Sequence, residues 1–296
     1  MTMGDTMRYQ YETIADIIEL AQTESISFSE VVLRQEMAQY EKSREDVIRE
    51  IQRRLQIFEE SVQSGLDNID RTQSGMSGGQ AARLLGNTPR FMSELAYRAM
   101  TYAIAVNEAN AKMYRIVACP TAGSCGVLPA CLKAVGEAYT LPESAYIDGF
   151  LAAAGIGNVI TERACVAGAV GGCQAEVGSA AAMAAGAVVA MMGGKPSTVG
   201  HAVALCLKNV LGLVCDPVAG LVEVPCVKRN GVYAVHALTA AELSMMGIAS
   251  QIPPDEVIEA MNEIGRALPS TLRETSEGGL AKTMHGELIA ERIRNL

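Results

Sequence analysis

The chain has no tryptophan, four phenylalanines and nine tyrosines, so aromatic residues make up 4% of its 296 positions. That leaves no stacking platform for bases, and a formal charge of −9 leaves no basic footprint for phosphates. Nucleic-acid binding is excluded. Histidine is scarce as well: His201, His236 and His285 are too few for a multi-histidine metal site. Charged residues are 19% against 49% hydrophobic, which excludes a disordered chain. There is no GxGxxG opening a βα unit, no GxxxxGK[ST], no HExxH and no CxxC. No strand-like alternation runs beyond about five residues and no repeat is visible, so the chain reads as mainly α. The opening MTMGDTMRYQYETIADIIEL lacks a basic stretch followed by an apolar run, so no secretory leader is read there. Eight cysteines in so long a chain do not make a disulfide scaffold, and a reducing cytoplasm is the expected compartment.

What is present is unevenly spread. Residues 1–60 carry 13 acidic and 7 basic side chains and read as amphipathic helices. Ser27-Phe28-Ser29-Glu30 has capping-box spacing ahead of a helical pattern, and Ser43 starts another with Val47, Ile51, Leu55 and Ile57 as its apolar stripe. This hairpin is either a solvated face or a surface for a partner chain. QSGMSGGQ (73–80) is a loop, a helix follows between Met92 and Ala111, and the turn at 118–126 enters a helix near Val127. In residues 164–194 the only charge is Glu176. The Ala/Gly-rich run 178–194 is borderline in length for a membrane span, but its weakly apolar side chains and missing basic flank favour a helix buried in a protein core. Pro253-Pro254 starts a further helix with Asp255 and Glu256 in its first turn, and Glu274–Gly279 is a loop.

Two Gly-rich places, Ser74–Gly79 and Gly193-Gly194-Lys195, could imitate a phosphate cradle, and Lys195 a pyridoxal phosphate lysine; Pro196 more plainly marks a helix boundary. The cysteines say more. Cys119, Cys125 and Cys131 recur every six residues, Cys165 and Cys173 lie eight apart, and Cys206 sits in a helical stretch. Cys215 and Cys226 each stand beside a proline, in Cys215-Asp216-Pro217 and Pro225-Cys226. Prolines break helices, and two thiols on irregular backbone can turn toward one point. Eight buried apolar thiols remain the alternative, because spacing does not choose a ligand set.

The phrases CPTAGSCGVLPA, VGGCQAEVGSAAAMAAG, LGLVCDPVAGLVEVPCVKRN and LRETSEGGLA together resemble the iron–sulfur-dependent L-serine dehydratases, and with the loop at Ser74, Met76 and Ser77 the resemblance spreads over residues 74–282. The resemblance implies the catalytic α chain of a two-chain enzyme, a mainly α fold whose Gly/Pro-rich loops hold one 4Fe–4S cluster. On that reading residues 1–296 form a single catalytic domain, with a helical arm over 1–65 and a cluster- and substrate-binding core over 66–296. The cluster ligands implied are Cys173, Cys215 and Cys226, separated by 42 and 11 residues. Three thiolates leave the fourth iron open as a Lewis acid for a substrate hydroxyl, whereas a four-cysteine cluster moves electrons. The activity implied is deamination of L-serine to pyruvate and ammonia. Substrate contacts are expected from Ser74, Ser77, Thr121, Gly123, Ser124, Arg229, Asn230, Thr275 and Ser276, with ordinary turn and cap chemistry as the alternative for each. The general base is left open among His201, His236, Lys228 and a serine alkoxide. A separate β chain is the expected partner, with the acidic arm making part of the contact; no nucleic acid and no membrane are expected. Some single-chain members end in a cysteine tail, and the terminal Ile293-Arg294-Asn295-Leu296 does not match it. A pyridoxal-phosphate deaminase and a non-enzymatic helical module remain the competing readings.

Overall fold

The structure, a computed structural model, describes residues 8–296. Residues 1–7, which open the acidic arm and the stretch read for a leader, lie outside the described residues. The chain is 69% helical and, among the described residues, forms no strand. The mainly α expectation is met.

The arm folds as read. Helix α1 (Ile14–Thr23) is closed by a full capping box from Thr13 and Asp16. Ser27 caps α2 (Phe28–Gln39) by accepting the Glu30 N–H at 3.0 Å. The reciprocal half of that box is missing, because the Glu30 carboxylate pairs with Arg34 and Arg44. Ser43 caps α3 (Arg44–Asp67), whose buried stripe is Val47, Ile51, Phe58, Val62 and Leu66. Phe58 takes the place expected of Ile57, as a spacing of 3.6 residues requires. The arm is no loose hairpin: Ile14, Ile17, Phe28 and Val31 are at most 2% exposed and belong to the main core. Asp255, expected to serve its own helix, accepts the N–H groups of Ile14 and Ala15 at 2.9 and 3.0 Å and so caps α1 from across the fold.

A short α4 (Gln80–Leu85) follows the 68–79 loop, and Ser93 caps α5 (Glu94–Ala111). Then come α6 (Val127–Tyr139), α7 (Glu143–Arg163), the single turn α8 (Gly168–Gly171) and a π-helical turn at Gln174–Gly178. That turn runs straight into α9 (Ser179–Met191), which packs against α6 and α7 as well as α10 (Pro196–Lys208) and α11 (Cys226–Met245). Every α9 residue except Ala190 is buried. Gln174–Met191 is long and apolar enough to cross a membrane, and 89% of it is buried inside the protein. Its Ala and Gly side chains permit that central place, since small residues let four helices approach closely. Helices α12 (Pro254–Ala267) and α13 (Met284–Arg294) complete the chain.

Gly65 marks where α3 crosses α5. A Cβ there would stand 1.9 Å from the Ala105 carbonyl oxygen. Gly65→Ala is therefore expected to force the helices apart and to lower stability by about 1–3 kcal/mol, read from a denaturant midpoint. An unchanged midpoint would show that the crossing yields without cost.

Candidate active site

Three irregular segments meet beside α5 and α11. Cys173 follows Gly172, whose φ of +75° turns the chain where a side chain would strike Leu268 and the Leu213 carbonyl. Gln174 then clasps the neighbouring segment. Its N–H donates to Leu213 O at 3.0 Å, its Nε2 to Met261 O at 2.9 Å, and its Oε1 accepts the Gly212 N–H at 2.8 Å. The π-helical turn widens the backbone at this point, a local geometry common at functional sites. Cys215 lies in a single strand-like bridge with Arg273: its N–H donates to Leu272 O at 3.0 Å and its carbonyl accepts the Glu274 N–H at 2.8 Å. Cys226 opens α11, at the positive end of the helix dipole.

Two of the thiols influence each other directly. Cys215 beside it holds the Cys173 thiol below its ordinary range, with help from the Arg229 guanidinium. Cys173 in turn, with burial, pushes Cys215 up. Burial and the neighbouring Cys173 push Cys226 up to about 12. Such a set suits a cationic metal centre: thiolates are soft iron ligands, and only the metal's charge offsets the mutual repulsion that keeps buried thiols protonated. The remaining cysteines differ. Cys206 lies on α10 and Cys131 on α6, both fully buried, and burial pushes both thiols up. All eight are free.

Glu176 is the residue the sequence reading passed over. It stands half-buried on the π-helical turn, where burial pushes its carboxyl up although the Thr121 hydroxyl donates to it at 2.9 Å. The Cys215 thiol faces its other oxygen at 3.8 Å. Glu176, Cys215 and Glu274 offer ligand atoms within 4.8 Å of one another. Gly168 is dictated by this crowding: a Cβ would lie 2.6 Å from Glu176 Oε2 and 3.0 Å from Cys215 Sγ. The lone charge in an otherwise apolar 164–194 was the signal available.

The residues expected to bind substrate fall into distinct places. Thr121 and Ser124 share a hydrogen bond at 3.1 Å in the turn facing Glu176, and Gly123 leaves Glu176 room to approach it. Asn230 braces that turn: its Nδ2 donates to Gly123 O at 2.8 Å and Cys226 O at 3.0 Å, and its Oδ1 accepts the Gly126 N–H at 3.0 Å. Arg229 donates to Val214 O and to Asp216 Oδ1, each at 3.1 Å. Thr275 and Ser276 line an open groove of about 1030 Å³ between the 217–220 turn and α13, and Ser276 donates to Pro217 O at 2.7 Å. Ser74 and Ser77 point into a buried cluster around Glu223. Of the groups left open as base, His236 stands midway along α11, where its Nε2 pairs with Cys206 O at 2.8 Å. Lys195 is exposed at the start of α10.

A helical protein with buried thiols and a half-buried carboxylate facing a hydroxyl-bearing turn is the class these features define. The chain belongs to the serine dehydratase alpha chain family, whose pattern matches residues 23–281. It is 44% identical over 286 residues to the "Probable L-serine dehydratase, alpha chain" of Bacillus subtilis, covering 96% of this chain and 95% of that protein. It is 40% identical over 280 residues to the "L-serine dehydratase, alpha chain" of Peptoniphilus asaccharolyticus, covering 94% and 96%. To the "L-serine dehydratase TdcG" of Escherichia coli it is 33% identical over 286 residues, which is 92% of this chain but 62% of that protein. The resemblance read from the sequence is borne out.

Proposed function

We propose that this chain deaminates L-serine to pyruvate and ammonia and that Cys173, Cys215 and Cys226 hold a 4Fe–4S cluster. What supports this is the membership of the family, together with the Cys173 and Cys215 thiols lying beside Arg229 and the Cys226 thiol feeling the charge of Cys173. When bound, such a cluster supplies an open iron, a Lewis acid for the substrate's β-hydroxyl oxygen. The protein's own groups do the rest. Glu176 and the lone pairs of Thr121, whose proton already points at Glu176, offer acceptors to an α-ammonium group. Arg229, held by Asp216 and Val214 O, is the cation beside the thiols and would be the group to receive an α-carboxylate. Ser124 is held by Thr121 and by Cys119 O, so the turn enters the reaction already organised. The 217–220 and 274–279 segments frame the approach, with Ala219, Glu274 and Ser276 in left-handed backbone that surrounding contacts must maintain.

A second chain is part of this reading. Two relatives are named as alpha chains, and over a third of the longer Escherichia coli protein lies outside the match. The acidic arm would contribute only its outer face to such a partner, because its inner face is core. Deleting residues 1–60 would therefore unfold the protein rather than isolate an interface. Eight free thiols are in keeping with a reducing cytoplasm, the compartment this reading proposes.

The test is an absorption spectrum and a pyruvate assay on anaerobically purified protein, alone and with the second chain. A broad iron–sulfur band is expected, with activity that decays in air and returns with ferrous iron and reductant. A discrete aldimine band, or undiminished activity in aerated buffer with chelator, would replace this reading by a pyridoxal one.

A further inference from the structure

Glu223 is 5% exposed, and its carboxylate takes three hydroxyl protons. Thr72 donates at 2.6 Å, Ser74 at 2.7 Å, and Ser77 makes the third bond. All three hydroxyl residues are themselves buried. A carboxylate withdrawn from water needs such compensation, and charge-assisted hydrogen bonds are the strong kind. The loop that provides the hydroxyls is fastened twice more. Glu108, fully buried on α5, accepts the N–H groups of Gly78 and Gln80 at 3.0 Å each, and Arg292 of α13 donates to Ser74 O at 3.1 Å. Lys228 feels both carboxylates.

The other side of Glu223 leads to the thiol site. Its carbonyl accepts the Val227 N–H at 3.1 Å, which makes it the acceptor for the first turn of α11, where Cys226 sits. The next residue's carbonyl accepts the Val218 N–H at 2.9 Å and closes the turn between Cys215 and Cys226. A side chain locked by three hydroxyls thus fixes the backbone three residues before the third thiol.

We infer that Glu223 is a positioning residue: gripped by Thr72, Ser74 and Ser77, it holds the Cys226 turn in the geometry that retains iron. Ser74 and Ser77 then act on the metal site through Glu223, with their protons engaged there instead of on substrate. The inference rests on the proposed cluster at Cys226. Groups behind a metal ligand typically change metal affinity by about 10–100-fold when lost.

The experiment measures how fast the visible absorption of the full-length, anaerobically reconstituted protein disappears in excess chelator. Circular dichroism and a thermal melt report folding. In Glu223→Gln the amide keeps one acceptor oxygen and turns a donor toward the hydroxyls. Cluster loss is expected to accelerate by about tenfold or more, with activity per remaining cluster near the parental value. Ser74→Ala/Ser77→Ala leaves Glu223 with Thr72 alone and is expected to accelerate loss as well. Adding E223Q to that pair should contribute much less than E223Q does alone, since both act through one network. Glu223→Asp, which keeps the charge, should recover part of the lifetime. If E223Q does not fold, the serine pair carries the test by itself. A parental cluster lifetime in these variants overturns the inference. So does a raised KM for serine with lifetime unchanged, which would return Ser74 and Ser77 to direct substrate binding. An unmodified protein that binds no cluster would instead overturn the functional reading, and this inference with it.

Discussion

Cys173→Ser, Cys215→Ser and Cys226→Ser are each expected to abolish the iron–sulfur absorption and the deaminase activity together. A serine hydroxyl is a hard, weakly acidic ligand that iron does not hold in place of thiolate. The loss should exceed the roughly 10–100-fold that an outer partner costs, because an iron is released outright. The contrast is Cys206→Ser, fully buried on α10 away from the site. That substitution buries a hydroxyl and is expected to lower stability by about 1–3 kcal/mol while the cluster remains. Iron analysis and visible spectra on the four variants decide the matter. A full cluster in any one of the first three would remove that cysteine from the ligand set.

Arg229→Met is expected to be the most destabilising single change near the site, by roughly 3–5 kcal/mol. The Arg229 and Asp216 side chains are 15% and 5% exposed and meet at 3.1 Å, so removing the guanidinium strands a buried carboxylate. Asp216 also accepts the Leu280 N–H at 2.9 Å, and Gly279 is packed so closely that a Cβ would lie 2.5 Å from Asp216 Oδ2. Arg229 further donates to Val214 O, which anchors the chain just before Cys215. Arg229→Lys keeps the charge but not the fork, and should fall between parent and methionine variant. Denaturant midpoints measure the series. If Arg229→Met/Asp216→Leu proved no more stable than Arg229→Met, the stranded carboxylate would not be the cause.

Local signals in the sequence were decided by neighbours a few residues apart, which is why they survive in the fold. Ser27, Ser43 and Pro254 begin helices because a side-chain acceptor or a ring of fixed φ acts within one turn. The loops at 73–79 and 274–279, the mainly α class and the buried Ala/Gly helix were legible for the same reason. The family's phrases also marked Cys173, Cys215 and Cys226, which the fold sets on three segments tied to one another through Gln174, the Cys215–Arg273 bridge and the start of α11.

Tertiary structure alone decided which partners those residues meet. Asp255 reads as a first-turn acid of its own helix and instead caps α1, 241 positions earlier. Ser74 and Ser77 look like exposed loop hydroxyls and instead surround Glu223, which lies 149 and 146 positions away in the chain. Asn230 reads as a residue beside a ligand and serves as a strut between two turns. Glu176 carried a signal, the only charge in a long apolar stretch, but no periodicity says that it will face Thr121 and Cys215. A cap or a turn is settled by contacts within a few residues. A buried charge is settled by which distant donors the packed helices deliver to it, and only the packing of α5, α9 and α11 determines that.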